Sequence, residues 1–550
     1  MTRPPGKTAR PAQTDALSQT GAEALVHTLI AGGVDTCFAN PGTSEMHFVA
    51  ALDRIPGIRC VLGLQENVVT GMADGYFRIA RRPAATLLHC GPGLANGIAN
   101  LHNARRAGSG MLNIVGDHAT DHVAHDSPLT ADVDALAGAA SDWHAFGTDA
   151  ARIGADAARG LAAAGAGYGA VASLVLPADV SWSTGGIAVR PDPAQPPLPP
   201  DPGAIARVAQ ALRSGRRALI LLGTPAVTAD LHPLLAGLAQ ASGAMLMGSP
   251  MISAIPRGRG RLDLPVVPYP VDEALAALAP FDVLVLVNCP PPVGFFRYPG
   301  RPSLLHRPDA DVITLSRPDQ DAAAALHALA AALGAGPVPV AVPVAVPVAV
   351  PVAVASGEIP AASGPITPQG LAATVARLLP EDAIVINEAI TLGGGFGAVM
   401  ARAAPCDWLT VTGGAIGGGI PLATGAAIGA QAIGRPDRRV VTLQADGSAA
   451  YTVQALWTQA RENLRVVTLL LNNRAYAILQ GEYAKVGAQP GPTARAMMQL
   501  DHPALDWPGI ARGFGVPAAT ATTAEDLEHA LHEALGRDGP TLIDVQFPVV

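Results

Sequence analysis

The stretch at residues 440–479 reads VVTLQADGSAAYTVQALWTQARENLRVVTLLLNNRAYAIL and decides the fold. It opens with an apolar run that ends at Asp446, continues with a helical pattern over residues 451–462, and closes with a second apolar run before Asn473. Two buried strands around one helix predict a βαβ unit in a parallel sheet. Because the carboxyl ends of parallel strands meet at one sheet edge, Asp446 and Asn473 should emerge close together.

The same alternation of strands and helices fills the rest of the chain. Further strands are predicted at residues 35–39, 84–89, 218–222, 283–287 and 383–386. The predicted class is therefore α/β, with three domains of parallel sheet flanked by helices. The predicted parts are a disordered tail at 1–18, an N-terminal domain at 19–189, a central domain at 203–336, a Pro/Val/Ala linker at 337–360 and a C-terminal domain at 361–550.

Composition excludes several classes of partner. The net charge is −8 and no basic patch runs along the chain, which disfavours nucleic acid. We find neither the apolar core of a signal peptide nor an uninterrupted membrane-spanning stretch. The five cysteines are scattered without a CxxC pair, which is typical of a reducing compartment. These features predict a cytoplasmic protein with no membrane or nucleic-acid partner.

The turn after the first strand of the quoted stretch suits a metal–diphosphate site. Mg²⁺ prefers a few protein oxygens together with phosphate oxygens and water, and Asp446 and Asn473 offer a carboxylate and an amide oxygen. Gly447 lets the backbone approach phosphate oxygens, and the helix after Ser448 presents its positive end. The alternative is an ordinary Asp-Gly turn beside a chance Asn pair, which we consider the weaker interpretation.

The quoted stretch also resembles the thiamine diphosphate motif that begins GDG and ends NN, especially as found in benzoylformate decarboxylase and acetohydroxyacid synthase. The resemblance implies that Asp446, Asn473 and the Ala475 carbonyl bind Mg²⁺. It also implies that Gly447, Ser448 and Tyr476 contact the cofactor. One departure is Ala445, which stands where the motif has its first glycine.

A second family segment is QENVVTGMADGYFRIARRP, which begins at Gln65. By resemblance, Glu66 is the catalytic carboxylate that hydrogen-bonds N1′ of the cofactor's aminopyrimidine ring, and it is also a cofactor-binding residue. The alternative is a simple acidic residue at a helix start.

Further residues follow from resemblance in other loops. Thr43 in NPGTSE matches the hydroxyl that contacts a substrate carboxylate, and His89 in HCGPG matches a histidine able to relay protons. A packed histidine at a strand end is the alternative for His89. The remaining cofactor-contact residues implied by resemblance are Asn387, Glu388, Thr391, Gly414 and Ile416, the last as the apolar prop beneath the bent cofactor.

The histidine-rich segment GDHATDHVAHD allows two interpretations. His118, His122 and His125 would share one face of a helix and could then bind zinc. The preceding strand and Pro128 favour an irregular loop near the mouth of the active site instead.

The resemblance implies decarboxylation of a small 2-oxo acid through an enamine intermediate, followed by aldehyde release or by carboligation as in acetolactate synthase large subunits. Pro299, Leu409 and Glu482 replace residues of the benzoylformate decarboxylase pocket, which argues against an aryl substrate. The FAD-associated Arg-Phe-Asp-Asp-Arg stretch of acetohydroxyacid synthases is missing from the sequence, so FAD is not expected. Because sites in this family form between subunits, a homodimer or homotetramer is implied.

Two rival functions remain open on the sequence. One is a non-catalytic homologue that binds thiamine diphosphate for regulation. The other is a nucleotide-binding oxidoreductase, which the missing GxGxxG fingerprint disfavours.

Overall fold

A computed structural model describes residues 19–250, 252–340 and 358–548. The predicted tail at 1–18 and residues 341–357 of the predicted linker lie outside the described residues. The described chain forms three sheets of six, four and seven strands, flanked by helices. All strand pairs but one are parallel, which confirms the predicted α/β class.

The first sheet has the strand order β2-β1-β3-β4-β6-β5. Its strands are β1 (Thr36–Ala39), β2 (Arg59–Leu62), β3 (Ala84–Leu88), β4 (Met111–Asp117), β5 (Trp143–Phe146) and β6 (Val171–Pro177). Its helices are α1 (Gly21–Ala31), α2 (Met46–Arg54), α3 (Glu66–Ala80), α4 (Cys90–Ala107), α5 (Val133–Ala140), α6 (Ile153–Gly165) and α7 (Ala178–Trp182). Every residue of β1, β3, β4 and β6 is buried, because helices cover both faces of the sheet.

The second sheet has the order β11-β10-β7-β8. Its strands are β7 (Ala218–Leu222), β8 (Met245–Gly248), β10 (Val283–Val287) and β11 (Asp311–Ser316). The helices of this part are α8 (Pro202–Leu212), α9 (His232–Ser242), α10 (Val271–Leu278) and α11 (Ala322–Leu333). The strands predicted at 218–222 and 283–287 match the observed bounds.

The third sheet has the order β16-β17-β15-β14-β12-β13-β9. Its strands are β9 (Ala254–Arg257), β12 (Ala383–Glu388), β13 (Cys406–Thr410), β14 (Val440–Ala445), β15 (Val466–Asn472), β16 (Ala518–Ala521) and β17 (Thr541–Gln546). Its helices are α12 (Pro368–Leu378), α13 (Phe396–Met400), α14 (Gly419–Ala432), α15 (Asp446–Thr452), α16 (Ala455–Arg461), α17 (Ala477–Lys485), α18 (Pro492–Met498), α19 (Trp507–Gly513) and α20 (Ala524–Gly536).

The sheets fall within the three predicted sequence blocks apart from β9, which leaves the central block and pairs antiparallel with β13. We propose domain boundaries at the proline-rich segments on this basis. None of the helices in the described ranges combines the length and apolar character that crossing a membrane requires.

Helices α3 and α14 join the first and third sheets through a close packing contact. A Cβ atom added to Gly425 would lie 1.8 Å from the Met72 carbonyl oxygen, and one added to Gly75 would lie 2.0 Å from the Leu422 carbonyl oxygen. Glycine at both positions therefore lets the two backbones touch. Side chains of both helices share one apolar core that continues from the first sheet into the third.

Candidate active site

Two strand ends of the 440–479 stretch lie side by side in the third sheet. β14 and β15 are parallel neighbours with Ala445 opposite Leu471, so Asp446 and Asn473 leave the sheet at the same edge. Their exposed fractions are 2% and 3%. The Asp446 carboxylate accepts hydrogen bonds from the backbone N–H groups of Gly447 at 2.8 Å and Arg474 at 2.7 Å.

A cavity opens at this edge, and its lining comes entirely from residues 390–478. The predicted site residues in the lining are Thr391, Ile416, Asp446, Gly447, Ser448, Asn473, Ala475 and Tyr476. Sequence reasoning missed its apolar members Ile390, Leu392, Leu471, Ala477 and Ile478, together with Ala445. Most of these residues are next in the chain to a predicted site residue, and this proximity in sequence could have identified them.

The oxygen donors of this cavity fit a divalent cation. Burial raises the pKa of Asp446, while the two backbone N–H groups lower it, so the ionised carboxylate calls for a positive partner. Asp446, Asn473 and the Ala475 carbonyl offer only oxygen, the ligand type that Mg²⁺ prefers.

The start of α15 at Gly447 fits a diphosphate group. An added Cβ at Gly447 would lie 2.5 Å from the Tyr476 ring, so only glycine leaves the first turn of this helix open beside that ring. Ala445, the departure from the family motif, has φ −67° and ψ 144°, a conformation that any residue adopts. Alanine there imposes no backbone strain.

Glu388 supports the cavity rather than lining it. Its buried carboxylate accepts hydrogen bonds from the N–H groups of Gly417 at 2.8 Å and Gly419 at 2.7 Å, and from Gln444 Nε2 at 2.8 Å. Burial raises the pKa of Glu388, and these bonds lower it. The carboxylate thereby fixes the loop that carries Ile416 at the start of α14.

Two further predicted residues also lie outside the lining. The Asn387 side chain accepts a hydrogen bond from the Ala389 N–H at 3.2 Å, which shapes the turn before Thr391. Gly414 has φ +78°, and a Cβ added there would lie 3.0 Å from the Phe295 ring. Both residues shape loops around the cavity.

Glu66 is the first residue of α3, where the Gln65 side chain caps the helix by accepting the N–H groups of Asn67 and Val68. Its carboxylate is buried and accepts a hydrogen bond from Asn96 Nδ2 at 3.1 Å. Gly93 leaves room for it, since an added Cβ would lie 2.9 Å from Glu66 Oε1. Glu66 therefore lies at the edge of the first sheet and is not among the residues that line the Asp446 cavity of its own chain.

His89 ends up in a hydrogen-bonded cluster at the carboxyl ends of β1 and β3. Its Nδ1 atom lies 3.0 Å from Glu45 Oε2 and 3.4 Å from Ser44 Oγ. Ser44 also hydrogen-bonds Glu45, and its hydroxyl lies 3.1 Å from Cys90 Sγ. The predicted hydroxyl of Thr43 is on an exposed residue, whereas the hydroxyl that contacts His89 belongs to Ser44.

Ser44 and Glu45 were missed by sequence reasoning although they sit in the NPGTSE segment that drew attention to Thr43. Glu45 is fully enclosed and also accepts the Gly42 N–H at 2.7 Å. An added Cβ at Gly42 would lie 2.1 Å from His89 Nδ1, so glycine there lets the histidine ring pack on the loop. Gly42 and the acidic Glu45 that follows it were the sequence features that could have identified this cluster.

Glu482 lies on α17, the helix that also carries two cavity-lining residues. Its carboxylate accepts a hydrogen bond from the Tyr298 hydroxyl and from Lys485 Nζ at 2.7 Å. Leu409 is buried on β13 and borders a different cavity, near Trp408 and Arg438. Neither Leu409 nor Glu482 is among the residues that line the Asp446 cavity.

Oxygen donors that fit a cation, a glycine beside them and apolar residues in the same lining, all at the carboxyl ends of a parallel sheet, are the features of an α/β protein that binds a diphosphate cofactor. Family models place the chain more closely. Residues 19–137 match the thiamine pyrophosphate enzyme N-terminal TPP binding domain, and residues 394–545 match the C-terminal TPP binding domain.

Relatives match over almost the whole chain. A Mycobacterium tuberculosis (strain H37Rv) protein that carries the provisional name acetolactate synthase large subunit IlvX is 47% identical, over 96% of this chain and 99% of its own. Benzoylformate decarboxylase of Pseudomonas aeruginosa is 29% identical over 93% of this chain and 96% of its own. The chain belongs to the thiamine pyrophosphate enzyme family.

A solved structure shows the same fold. Thiamine diphosphate-dependent 4-hydroxybenzoylformate decarboxylase of Rhodococcus jostii RHA1 superposes with a TM-score of 0.79 at 24% identity, covering 97% of this chain and all of the other. The arrangement of three sheets is thus a known one for enzymes that use this cofactor.

Proposed function

We propose that the protein decarboxylates a small 2-oxo acid with thiamine diphosphate and Mg²⁺, and then either releases an aldehyde or ligates the product to a second 2-oxo acid. The observation that carries the proposal is the cavity whose lining brings together Asp446, Gly447, Asn473, Tyr476 and Ile416. A catalytic carboxylate and a histidine cluster at the edge of the first sheet supply the groups that such a reaction needs.

The C-terminal part would hold the cofactor. Asp446, Asn473 and the Ala475 carbonyl would bind Mg²⁺, while Gly447 and Ser448 would contact the diphosphate. Ile416 would support the bent cofactor from the apolar side. When bound, thiamine diphosphate supplies a carbon nucleophile and an acceptor for the electron pair left by CO₂.

The N-terminal part would supply the proton-transferring groups. Glu66 would hold a proton between its carboxylate and N1′ of the pyrimidine ring, and its enclosure by Asn96 and Gly93 keeps bulk water from competing. His89 Nε2 would exchange a proton with the substrate-derived oxygen, because Glu45 engages Nδ1 and orients the ring. Ser44 and Thr43 offer hydroxyls for the substrate carboxylate.

Since Glu66 does not line the Asp446 cavity of its own chain, a complete site requires Glu66 from a second copy. We therefore propose a homodimer or homotetramer with sites between subunits, acting in the cytoplasm. FAD is not part of the proposal.

The first experiment measures CO₂ release from a panel of aliphatic and aromatic 2-oxo acids, with thiamine diphosphate and Mg²⁺, while acetolactate and free aldehydes are assayed. Acetolactate from pyruvate would support the synthase form of the proposal, and aldehyde without ligation product would support the simple decarboxylase. Cofactor binding with no CO₂ from any acid would favour a non-catalytic homologue.

Glu66→Gln tests the role of the carboxylate with little change of shape. We expect turnover to fall by at least ~100-fold, the lower range for loss of a general acid–base group. Mg²⁺-dependent cofactor binding, followed by quenching of tryptophan fluorescence, should persist. Retained turnover would remove Glu66 from the catalytic role.

A further inference from the structure

The proposed mechanism uses His89 but leaves unexplained a larger group of metal-ligating side chains around Cys90. Glu45, His89 and Cys90 each present one ligand atom, and these atoms lie within 4.8 Å of one another. Cys90, Asp117 and His118 form a second such triad that shares the thiol. Glu45, Cys90 and Asp117 are buried, so this is an enclosed cluster and not a solvated acidic patch.

The buried acids of this cluster pair with histidines, whose charge depends on protonation. Glu45 and Asp117 are both enclosed carboxylates, and the ion pairs found for them in the described chain are with His89 and His118. The two cations that oppose the acids are therefore imidazoles, which carry charge only when protonated. A divalent ion would neutralise the same acids without requiring either histidine to be charged.

Imidazole, thiolate and carboxylate in one place is the ligand set of zinc and similar divalent transition ions. A tetrahedral ion with bonds of about 2.0–2.3 Å sets its ligand atoms about 3.3–3.8 Å apart. The ligand atoms of the triad at Glu45, His89 and Cys90 thus need to move closer together by no more than about 1–1.5 Å. Cys90 has φ +50°, a conformation unfavourable for a side chain, and it turns the thiol toward this group.

The histidine-rich loop leads from solvent to the cluster. His125 and His122 are exposed with ring centroids 5.6 Å apart, and His122 stacks on the half-buried His118 at 6.0 Å. The loop contains a short 3-10 turn at Val123–His125 rather than a long helix, so these three histidines do not form a helical zinc face. Instead they form a row of imidazoles that ends beside Cys90.

We propose that Glu45, His89 and Cys90 bind a zinc-class divalent transition ion, which reaches them along His125, His122 and His118. The Cys90 thiol loses its proton to solvent as the metal–sulfur bond forms. The ion is separate from the Mg²⁺ of the Asp446 cavity, because its ligands lie in the first sheet and include sulfur. The bound ion would occupy His89 and so inhibit turnover. This inhibition rests on the proposed function, whereas the binding of the ion does not.

The test uses the full-length protein with saturating Mg²⁺ and thiamine diphosphate, after treatment with a chelator, and Co²⁺ as the probe. Cobalt bound to a thiolate gives a near-ultraviolet charge-transfer band that requires no catalytic activity. We expect one band-forming site per chain in the wild type, displaced by Zn²⁺. Cys90→Ser should abolish the band, and Cys60→Ser, which alters an exposed thiol, should leave it unchanged.

A second variant guards against a folding defect in Cys90→Ser. His89→Ala changes a partly exposed side chain and should sharply weaken Co²⁺ binding while circular dichroism and cofactor binding stay at wild-type levels. His118→Ala should slow uptake but preserve the final band.

Three results would overturn the proposal: a wild-type protein without the band, a band that survives in Cys90→Ser, or a band lost in His118→Ala but kept in His89→Ala. Because the band is read without substrate, it also distinguishes failure of this site from failure of the proposed decarboxylation.

Discussion

Asp446 is the residue on which the proposed Mg²⁺ site depends most. Its carboxylate is enclosed at the end of β14, and burial raises its pKa above the ordinary value of 3.8. Since the ionised form binds metal and the protonated form does not, Mg²⁺ affinity should be constant above the raised pKa and should fall as pH drops through it. Isothermal titration of Mg²⁺ with cofactor across pH 4–8 checks this, and an affinity that does not fall toward the acid end of this range would contradict it.

Asp446→Asn removes the charge and leaves one carbonyl oxygen. We expect Mg²⁺-dependent cofactor affinity to fall roughly 100-fold, equivalent to about 3 kcal/mol, because the ion loses its anionic ligand. The pH dependence should disappear with it. Asp437→Asn, a change at an exposed acid, is the matched control and should bind like the wild type.

Residues such as Asp446 can be predicted from the sequence, because the type of side chain and its position after a strand are both visible there. Backbone conformation cannot be predicted in this way. Cys90, Ile390 and Arg474 all have positive φ, at +50°, +50° and +57°, although none is glycine. Each turns the chain just after a strand beside the site, and tertiary contacts hold it there against local preference. The same lack of local signal explains why Ser44 rather than Thr43 meets His89.

At the scale of elements, the start of α9 depends on a neutral histidine. His232 Nε2–H donates to the Val227 carbonyl at 3.2 Å, and its Nδ1 accepts the Leu262 N–H at 3.0 Å. Burial lowers the pKa of His232 from 6.5 to about 4. The unfolded chain thus takes up the proton first, so stability is full above pH 6.5 and is lost as pH falls toward 4, by about 3 kcal/mol.

Urea unfolding of the wild type and of His232→Gln between pH 7 and pH 4 measures that loss. Glutamine can donate and accept hydrogen bonds without titrating. The free energy of unfolding of the variant should therefore fall less over this interval, and the difference in slope should correspond to about one proton taken up on unfolding. Equal slopes in the two proteins would show that the acid sensitivity arises elsewhere.

Helix α3 carries a second buried polar group, the ion pair of Asp74 and Arg78. Both side chains are under 5% exposed, and Arg78 also donates to the carbonyls of Ser253, just before β9, and Thr410, at the end of β13, so one guanidinium links α3 of the first sheet to the third sheet. Arg78→Met leaves Asp74 charged and unpaired, and should lower the free energy of unfolding by about 3–5 kcal/mol. Urea unfolding checks this.

Arg54→Ala serves as the control for Arg78→Met, because the Arg54–Glu23 pair lies at the surface and should contribute under about 1 kcal/mol. The double variant with Asp74→Asn should recover part of the Arg78→Met loss, since it removes the unpaired charge. A loss no larger than that of Arg54→Ala would show that the buried pair does not link the sheets.

Element positions followed from periodicity where strands are long and apolar, as at β7, β10 and β15. They were less accurate where helices are short. The single helix predicted at 451–462 is two helices, α15 and α16, and the first begins at Asp446 itself. No sequence pattern predicted β9, because its four residues include Pro256 and form a strand only by pairing with β13. Arg257 of this strand also stacks on Trp408 at 5.4 Å.

At the scale of the whole molecule, three sheets could be predicted because each alternates strands and helices within one block of sequence. The relation between blocks could not, since it depends on contacts such as Gly425 against Met72 that join residues far apart in the chain. Glu66 is not among the residues that line the Asp446 cavity. Under the proposed function, assembly as well as folding would therefore be a condition for activity.

Mixing two impaired variants tests this dependence directly, at cofactor and Mg²⁺ concentrations that saturate the wild type but not Asp446→Asn. In a mixed dimer of Glu66→Gln and Asp446→Asn chains, one site receives both substitutions and the other receives neither. If Glu66 acts on the cofactor of a second copy, random exchange of subunits makes about half the dimers mixed, each with one intact site. Activity should therefore recover to about a quarter of the wild-type level.

The subunits are exchanged by dilution and reassociation, and CO₂ release is followed as the mixing ratio varies. Activity should peak at equal amounts and vanish at either extreme. A protein whose site forms within one chain has no intact combination in any mixture, so absence of recovery, with subunit exchange verified by mass spectrometry, would place Glu66 and Asp446 of one chain in the same site and contradict the shared arrangement.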